Sequence, residues 1–240
     1  MKYIIKGINE PMAVHKVELI LCQLDKYNLM KSSNKYAHLT GAQLFDDIIK
    51  YMTTFIDLKF QLYKDQGGIC CYCGAKLEFP PKSKSRVEHV KPKDKYRELV
   101  GEYENLLLSC DLTSEEYESM RKTHKRIRNK YLHCDAAKGA KGITYSPLNP
   151  NCEKAFIYKL NGKIEGKDKD AEDDIETLGL GCDYLVRRRR EAINALFDND
   201  ELLDEELLKI YKEKVMSRDK ENRLTEFCFV ISNVIEQFLS

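Results

Sequence analysis

Residues 86–93 of the chain read RVEHVKPK. This run is β-prone, it places an acid and a histidine side by side at Glu88 and His89, and the proline at Pro92 ends it. In a regular strand the two neighbouring side chains point to opposite faces. A carboxylate oxygen suits a hard cation such as Mg²⁺ or Mn²⁺, and a neutral imidazole can take a proton from water near pH 7. The stretch is therefore the centre of a candidate site.

Five of the nine cysteines fall between residues 67 and 142, around this stretch. Cys70 and Cys73 have the C-x-x-C spacing with which two thiolates bind one zinc ion, and we expect Cys110 and Cys134 to complete a structural zinc site. His133 is the alternative fourth ligand, in place of Cys134. The remaining cysteine, Cys71, is interpreted as a bystander. A thiol oxidoreductase that uses Cys70 and Cys73 is the competing interpretation of the same spacing.

The composition bounds the class of protein. The 240 residues are 42% hydrophobic and 33% charged, which permits a packed core and argues against global disorder. No signal peptide is visible and no apolar run approaches the roughly 18 residues of a membrane span, so we expect a cytoplasmic protein without a membrane partner. In that compartment nine cysteines indicate metal ligands more than disulfides.

The hydrophobic pattern predicts an α+β fold that is mostly helical. We divide it into an N-terminal helical segment (1–66), a core with the motifs (67–142), a hairpin with helices packed on that core (143–198) and a C-terminal helical segment (199–240). Strands are expected at 86–90 and 105–110, and a helix is expected to begin near Asp135. Asn161 and Gly162 predict a tight hairpin turn.

The helical segments carry more specific predictions. Thr40 and Gln43 form a capping box that begins a helix running to about Asp65. Cys22 lies near the apolar face of the preceding helix, so we place it in the core. The last helix is apolar over much of its circumference, which predicts core packing, with partner docking as the alternative.

Positive charge gathers around the motifs although the net charge of the chain is only +1. Residues 82–141 contain 15 Lys and Arg against 10 Asp and Glu, a difference of +5, whereas residues 201–240 contain 6 against 9, or −3. The basic residues between 121 and 130 suit a phosphate backbone, with a solvated helix as the alternative. For the run of arginines at 187–190, a surface position or carboxylate pairing is one alternative and phosphate contact is the other.

Three of these motifs together resemble the HNH endonucleases: HVKP at 89–92, NLLLSC at 105–110 and CDAAKG at 134–139. That resemblance implies two strands and a helix around one divalent metal, beside a zinc knuckle. MKYIIK at 1–6, GICCYC at 68–73, LNP at 148–150 and GKI at 162–164 make the chain similar to the HNH subunits of Septu-type and retron-associated anti-phage systems, the PtuB type. This narrower likeness spans most of residues 1–198.

The resemblance implies a role for each matched residue. His89 is the general base that activates water, Glu88 and Asp135 hold a catalytic Mg²⁺ or Mn²⁺, Asn105 orients His89, and Lys138 meets a phosphate. The reaction is hydrolysis of nucleic-acid phosphodiester bonds, with DNA favoured and host tRNA or other RNA as the alternative. The implied partner is a PtuA-type ATPase subunit, and in retron versions also a reverse transcriptase with its RNA–DNA product.

The sequence departs from that family pattern in two places. Asp135 stands where the family usually has Asn or His, although another carboxylate still suits a hard cation. In addition, 23 residues separate Cys110 from Cys134, where many relatives have only a couple.

No nucleotide-binding loop of the G-x-x-x-x-G-K-[ST] form occurs, so any use of ATP falls to the partner. A zinc-stapled binding module without catalysis is the alternative of another functional class.

Overall fold

The computed structural model describes residues 1–7, 14–81, 85–110, 131–195 and 204–239. It is an α+β structure, about half helical, with two small antiparallel sheets. The helices are α1 (Val14–Lys31), α2 (Gly41–Tyr51), α3 (Phe55–Asp65), α4 (Asp135–Lys138), α5 (Lys169–Thr177), α6 (Asp183–Asn194), α7 (Glu205–Met216) and α8 (Cys228–Leu239). The strands are β1 (Ser85–His89), β2 (Leu106–Cys110), β3 (Phe156–Tyr158) and β4 (Ile164–Gly166).

The first sheet carries the motif residues. Strands β1 and β2 pair antiparallel, with Glu88 opposite Leu107 and His89 opposite Leu106. The two predicted strands are thus confirmed, each within a residue of its expected ends, and α4 begins at Asp135 as expected. The antiparallel pairing brings the end of β1 next to the start of β2, so the acid–histidine pair lies where the connecting loop leaves and re-enters the sheet.

The second sheet is the predicted hairpin. Strands β3 and β4 pair antiparallel around the turn at Asn161 and Gly162. Gly162 has a φ of 81°, and a Cβ atom there would lie 2.1 Å from the carbonyl oxygen of Val186 on α6. Glycine is therefore required at this position both by the left-handed backbone and by the close approach of α6.

The N-terminal helices differ from the prediction in one respect. The capping box is present, with Gln43 N–H donating to Thr40 Oγ1 at 3.2 Å, but the expected single helix is broken into α2 and α3. The break falls at Thr53 and Thr54, whose hydroxyl groups both hydrogen bond to the side-chain amide of Gln23 on α1. Threonine hydroxyls that find such partners compete with the helical backbone pattern, which a periodicity argument does not register.

One large hydrophobic cluster contains residues of all four predicted segments, among them Met1, Leu108, Leu185 and Val230. A second, smaller cluster is formed by α7 and α8. The core packing predicted for the last helix is confirmed: most apolar side chains of α8 are buried, although Phe238 is 49% exposed.

The core prediction for Cys22 is wrong, because its side chain is exposed. Helix α1 turns Ile20 and Leu24 into the core, and a residue two positions from Ile20 lies on the opposite side of the helix. None of the helices in the described ranges has the length and apolar character needed to cross a membrane. The basic stretch at 121–130 lies outside the described residues.

Candidate metal centre and catalytic site

Four cysteines from three separate parts of the chain gather into one cluster that could hold a metal ion. The sulfur atoms of Cys70, Cys73, Cys110 and Cys134 all lie within 4.8 Å of one another. The Sγ atoms of Cys70 and Cys134 are 3.7 Å apart, and those of Cys73 and Cys110 are 3.8 Å apart. Thiolates at about 2.3 Å from a tetrahedral zinc are separated by about 3.8 Å, so the cluster is compatible with structural zinc.

The local backbone presents these sulfur atoms. The Ala75 N–H points at Cys73 Sγ at 3.4 Å, and the Cys110 N–H points at Cys70 Sγ at 3.3 Å. Gly74 follows the C-x-x-C pair with a φ of 80°, and a Cβ atom there would lie 2.5 Å from the ring of Phe229. A tight glycine turn packed on α8 thus closes the knuckle.

The structure distinguishes the cluster from its neighbours in sequence. Cys71 is buried but does not belong to the cluster, as the bystander interpretation predicted. His133, the alternative ligand, is not one of the four either. Its Nε2 atom lies 3.5 Å from Cys110 Sγ, and its Nδ1 atom is 2.7 Å from the carbonyl oxygen of Tyr131. A polar group that contacts a candidate metal ligand in this way, without belonging to the cluster, orients that ligand and does not replace it.

Glu88 is the most heavily engaged carboxylate of the site. Its Oε1 atom accepts a hydrogen bond from the hydroxyl group of Tyr72 at 2.7 Å. The same atom forms an ion pair with Lys138 Nζ, also at 2.7 Å. Burial, together with hydrogen bonding to the carboxyl group of Asp135, raises the pKa of Glu88 to about 8, although Lys138 acts in the opposite sense. The two carboxyl groups therefore lie close together, and Glu88 keeps its proton more readily than a free glutamate does.

This donor set fits a divalent cation. Two adjacent carboxylates offer hard oxygen ligands, and a cation relieves the repulsion that otherwise raises the pKa of Glu88. His89 does not join them as a ligand: among the described residues only the four cysteines bring three or more potential ligand atoms within 4.8 Å of one another. The Glu88 and Asp135 pair would hold the cation, with water or substrate oxygens completing its coordination.

His89 is held as a neutral imidazole. Its Nε2 atom is 3.0 Å from the carbonyl oxygen of Val100, and its ring packs edge-on against Phe45 at 4.6 Å between centroids. A carbonyl oxygen only accepts, so the proton of the neutral ring is assigned to Nε2 and the lone pair to Nδ1. Burial lowers the pKa of His89 to about 4, which keeps the ring neutral at physiological pH. The ring is thus in the protonation state that a general base needs.

The hydrogen bonds of the Asn105 side chain go to the backbone and not to the His89 ring. Its side-chain oxygen accepts the Lys91 N–H at 2.8 Å, and its amide group donates to the carbonyl oxygens of Lys91 at 3.1 Å and Leu99 at 3.2 Å. It therefore ties together both ends of the loop that follows His89. Because Leu99 directly precedes Val100, any orientation that Asn105 imposes on His89 passes through the backbone.

The phosphate contact expected of Lys138 is not what the structure shows. Its side chain is 1% exposed, and its ammonium group contacts Glu88 and the carbonyl oxygen of His89, the latter at 2.9 Å. Helix α4 has only one turn, so a side chain on its last residue reaches back over β1 instead of out to solvent. Lys138 neutralises the buried carboxylate and fixes the end of the strand.

A cleft of about 320 Å³ opens beside these groups. Glu88, His89 and Asp135 line it, together with Phe45, Phe55 and basic side chains that sequence reasoning did not assign to the site: Lys59, Arg86 and Lys93. The Lys93 ammonium lies 5.3 Å above the Phe45 ring, the same ring that packs on His89. Lys59 comes from α3, far away in the sequence, and no motif indicates it.

The arginine run at 187–190 is largely committed to the protein itself. Arg189 is 1% exposed and donates to the carbonyl oxygens of Gly162 and Leu180, both at 2.8 Å. Arg188 pairs with Glu226 at 2.7 Å, and Arg187 lies 3.8 Å from Glu191. Carboxylate pairing, within the first of the two alternatives, describes Arg187 and Arg188. Arg189 fits neither alternative, because it is buried against backbone carbonyl oxygens.

Comparison with known proteins does not add to this picture: no family model matches the chain, and no curated protein matches it. The case for a function rests on the geometry of the site.

Proposed function

We propose that the chain is a metal-dependent endonuclease of the HNH type, which hydrolyses phosphodiester bonds in nucleic acid. The observation that carries this proposal is the juxtaposition of Glu88 and Asp135 beside His89, a neutral imidazole with one nitrogen committed to a carbonyl oxygen. Glu88 and His89 lie on β1 and Asp135 lies at the start of α4, next to the four-cysteine cluster. In this proposal that cluster holds a structural zinc with no open coordination position.

The proposed mechanism assigns each step to a side chain. A bound Mg²⁺ or Mn²⁺ supplies Lewis-acid polarisation and charge stabilisation at the phosphate. Glu88 and Asp135 would hold that ion, and Nδ1 of His89 takes the proton from the attacking water as the water oxygen bonds to phosphorus. The Val100 carbonyl oxygen, already 3.0 Å from Nε2, stabilises the imidazolium that forms. The bond between phosphorus and the 3′ oxygen then breaks, the leaving oxygen takes a proton from solvent, and His89 returns its own proton to solvent.

The proposed substrate is a nucleic-acid backbone, because the cleft beside the two carboxylates is also lined by Lys59, Arg86 and Lys93. Cationic side chains there offset the negative charge that two carboxylates present to an incoming phosphate. DNA is the favoured substrate, and host tRNA or other RNA is the alternative.

The proposal extends to a role as the effector of an anti-phage complex. Its support is the sequence resemblance to Septu-type and retron-associated HNH subunits, which implies an ATPase partner and in some systems a reverse transcriptase with RNA–DNA. Co-expression of a tagged chain with the neighbouring genes, followed by mass determination of the purified assembly, tests this part separately from cleavage.

A second candidate function is a zinc-stapled binding module without catalysis. The observation in its favour is burial, since Glu88 is only 3% exposed and His89 only 4% exposed. Under this alternative the Lys138–Glu88 ion pair is purely structural, and no divalent ion enters the site.

The deciding experiment is a cleavage assay with Mg²⁺ or Mn²⁺ on supercoiled plasmid and, in parallel, on labelled total RNA. Wild type should cleave one of them, and His89→Ala should lower the rate by about 10²- to 10⁴-fold. His38→Ala, at an exposed histidine, is the matched control and should cut like wild type. Equal activity of His89→Ala and wild type removes the general-base assignment. A folded, zinc-loaded wild type that cleaves neither substrate, alone or with its partner, favours the binding module.

A further inference from the structure

Tyr72 connects the two candidate metal centres. It lies inside the C-x-x-C pair, one residue before Cys73 and two after Cys70, and its side chain is fully buried at 0% exposure. Its hydroxyl group donates to Oε1 of Glu88 at 2.7 Å. A residue that the cysteine cluster holds on both sides thus touches one of the carboxylates proposed to bind the catalytic ion.

The second donor to the same oxygen has a similar origin. Lys138 Nζ lies 2.7 Å from Oε1 of Glu88, and Lys138 is four residues after Cys134, another cysteine of the cluster. Oε1 therefore receives two strong donors, one beside Cys73 in the sequence and one four residues after Cys134. Two such donors hold a carboxylate in one rotamer, so we assign the contact with an incoming cation to its second oxygen, Oε2.

We propose that Tyr72 is a positioning residue for the divalent ion: its hydroxyl group fixes Glu88 and carries the geometry of the cysteine cluster to the second metal site. This inference rests on the proposed function, because it assumes that Glu88 and Asp135 bind a divalent cation. It adds a dependence of that site on the knuckle, and it predicts that Glu88 binds the ion through Oε2 alone.

The test separates the hydroxyl group from the ring. Tyr72→Phe keeps the buried ring and removes only the donor. Mn²⁺ affinity is measured by electron paramagnetic resonance of free Mn²⁺, and zinc content by elemental analysis. We expect Mn²⁺ to bind about 10- to 100-fold more weakly, with zinc content unchanged. Tyr27→Phe is the matched control, since Tyr27 is also 0% exposed and donates to a backbone carbonyl oxygen, that of Leu44, at 2.8 Å. Its Mn²⁺ affinity should equal that of wild type.

The outcomes distinguish this inference from the function on which it rests. If zinc-loaded Tyr72→Phe binds Mn²⁺ as wild type does, the positioning role is overturned while the metal site stands. If wild type itself binds no Mn²⁺, the metal site and the positioning role both fall.

A measurement on wild type covers the case in which Tyr72→Phe does not fold. With ¹³C at the tyrosine Cζ positions, Mg²⁺ addition should shift the Tyr72 resonance and leave that of Tyr27 in place. If the chemical shift of Tyr72 does not change at saturating Mg²⁺, the proposal is overturned.

Discussion

The Nε2 atom of His89 lies 3.0 Å from the carbonyl oxygen of Val100, eleven residues further along the chain. The imidazole is thus oriented by the backbone of its own connecting loop. A carbonyl oxygen defines which ring nitrogen carries the proton without adding a negative charge to a site that already contains two carboxylates. The shape of that loop consequently decides whether the ring can act as a base.

Asn105 is the first place where this dependence can be tested. Asn105→Ala removes three part-buried hydrogen bonds to the backbone of Lys91 and Leu99. We expect a loss of about 3 kcal/mol in the free energy of unfolding, measured by urea titration. We also expect kcat for cleavage to fall at least 10-fold while Mn²⁺ affinity stays within a factor of about two, because the carboxylates are on other segments.

The control for this change is Asn161→Ala, at an exposed turn where the side chain accepts only the Lys163 N–H. It should leave kcat unchanged. An Asn105→Ala protein that cleaves at the wild-type rate would show that the loop holds its shape without the amide.

The cysteine cluster predicts one zinc per chain. Cys73→Ser should lose that zinc and unfold at a much lower temperature, because zinc binding to four thiolates supplies folding free energy directly. Elemental analysis and calorimetry on the same sample measure both effects. Cys71→Ala is the matched control: it removes a buried thiol outside the cluster, so zinc should be retained and the cost should be on the order of 1 kcal/mol. Equal zinc loss in the two variants would contradict the assignment of ligands.

Lys138 should matter for stability in a way that divalent ions can compensate. Lys138→Met leaves Glu88 buried without its cationic partner, and breaking a buried pair on one side costs about 3–5 kcal/mol. Added Mg²⁺ should recover part of that loss, because it neutralises the same carboxylate. Thermal unfolding is measured with and without Mg²⁺ at about 10 mM. The increase in unfolding temperature on Mg²⁺ addition reports the stabilisation by ligand binding.

The comparison variant is Lys169→Met, which removes an exposed pair with Asp173. Lys169→Met should unfold at the same temperature as wild type. Mg²⁺ should change the unfolding temperatures of Lys169→Met and wild type by the same amount. If Mg²⁺ stabilises Lys138→Met no more than it does Lys169→Met, the ion does not replace the lysine charge.

A buried lysine away from the site predicts a pH dependence of stability. Lys6 contacts Asp65 and the Leu106 carbonyl oxygen, and burial lowers its pKa from 10.5 to about 8, although Asp65 acts in the opposite sense. Between pH 8 and 10.5 the unfolded chain keeps the proton that the folded chain has lost, so this group makes the free energy of unfolding rise with pH. The full rise is about 3 kcal/mol.

Urea titrations of wild type and Lys6→Met across that window measure the contribution as the difference between their slopes, since the other titrating groups are common to both. Wild type should gain stability relative to Lys6→Met as the pH increases. Parallel curves would mean that Lys6 keeps its ordinary pKa in the folded protein.

Local patterns in the sequence were sufficient for the elements near the site. The alternation before Pro92, the C-x-x-C spacing and the Thr40–Gln43 box each depend on residues a few positions apart, and the corresponding strand, knuckle and cap are present. The prediction of a single helix up to Asp65 was wrong, because the break between α2 and α3 depends on Gln23, a side chain of another helix. The core prediction for Cys22 was wrong for a related reason. Only the side of α1 that carries Ile20 and Leu24 faces the core, and Cys22 lies outside it.

By itself, the sequence determined β1 and β2 to within a residue, the four cysteines that cluster, and the chemical types at Glu88, His89 and Asp135. Spacing and side-chain chemistry are local properties. Only the tertiary structure decided that Lys138 faces Glu88 and not solvent, that Asn105 holds a loop and not a ring, and that Tyr72 joins the knuckle to the carboxylate pair. Those contacts connect residues between 14 and 50 positions apart, and which of many possible long-range partners meet is set by how the sheet, the knuckle and the one-turn helix pack together.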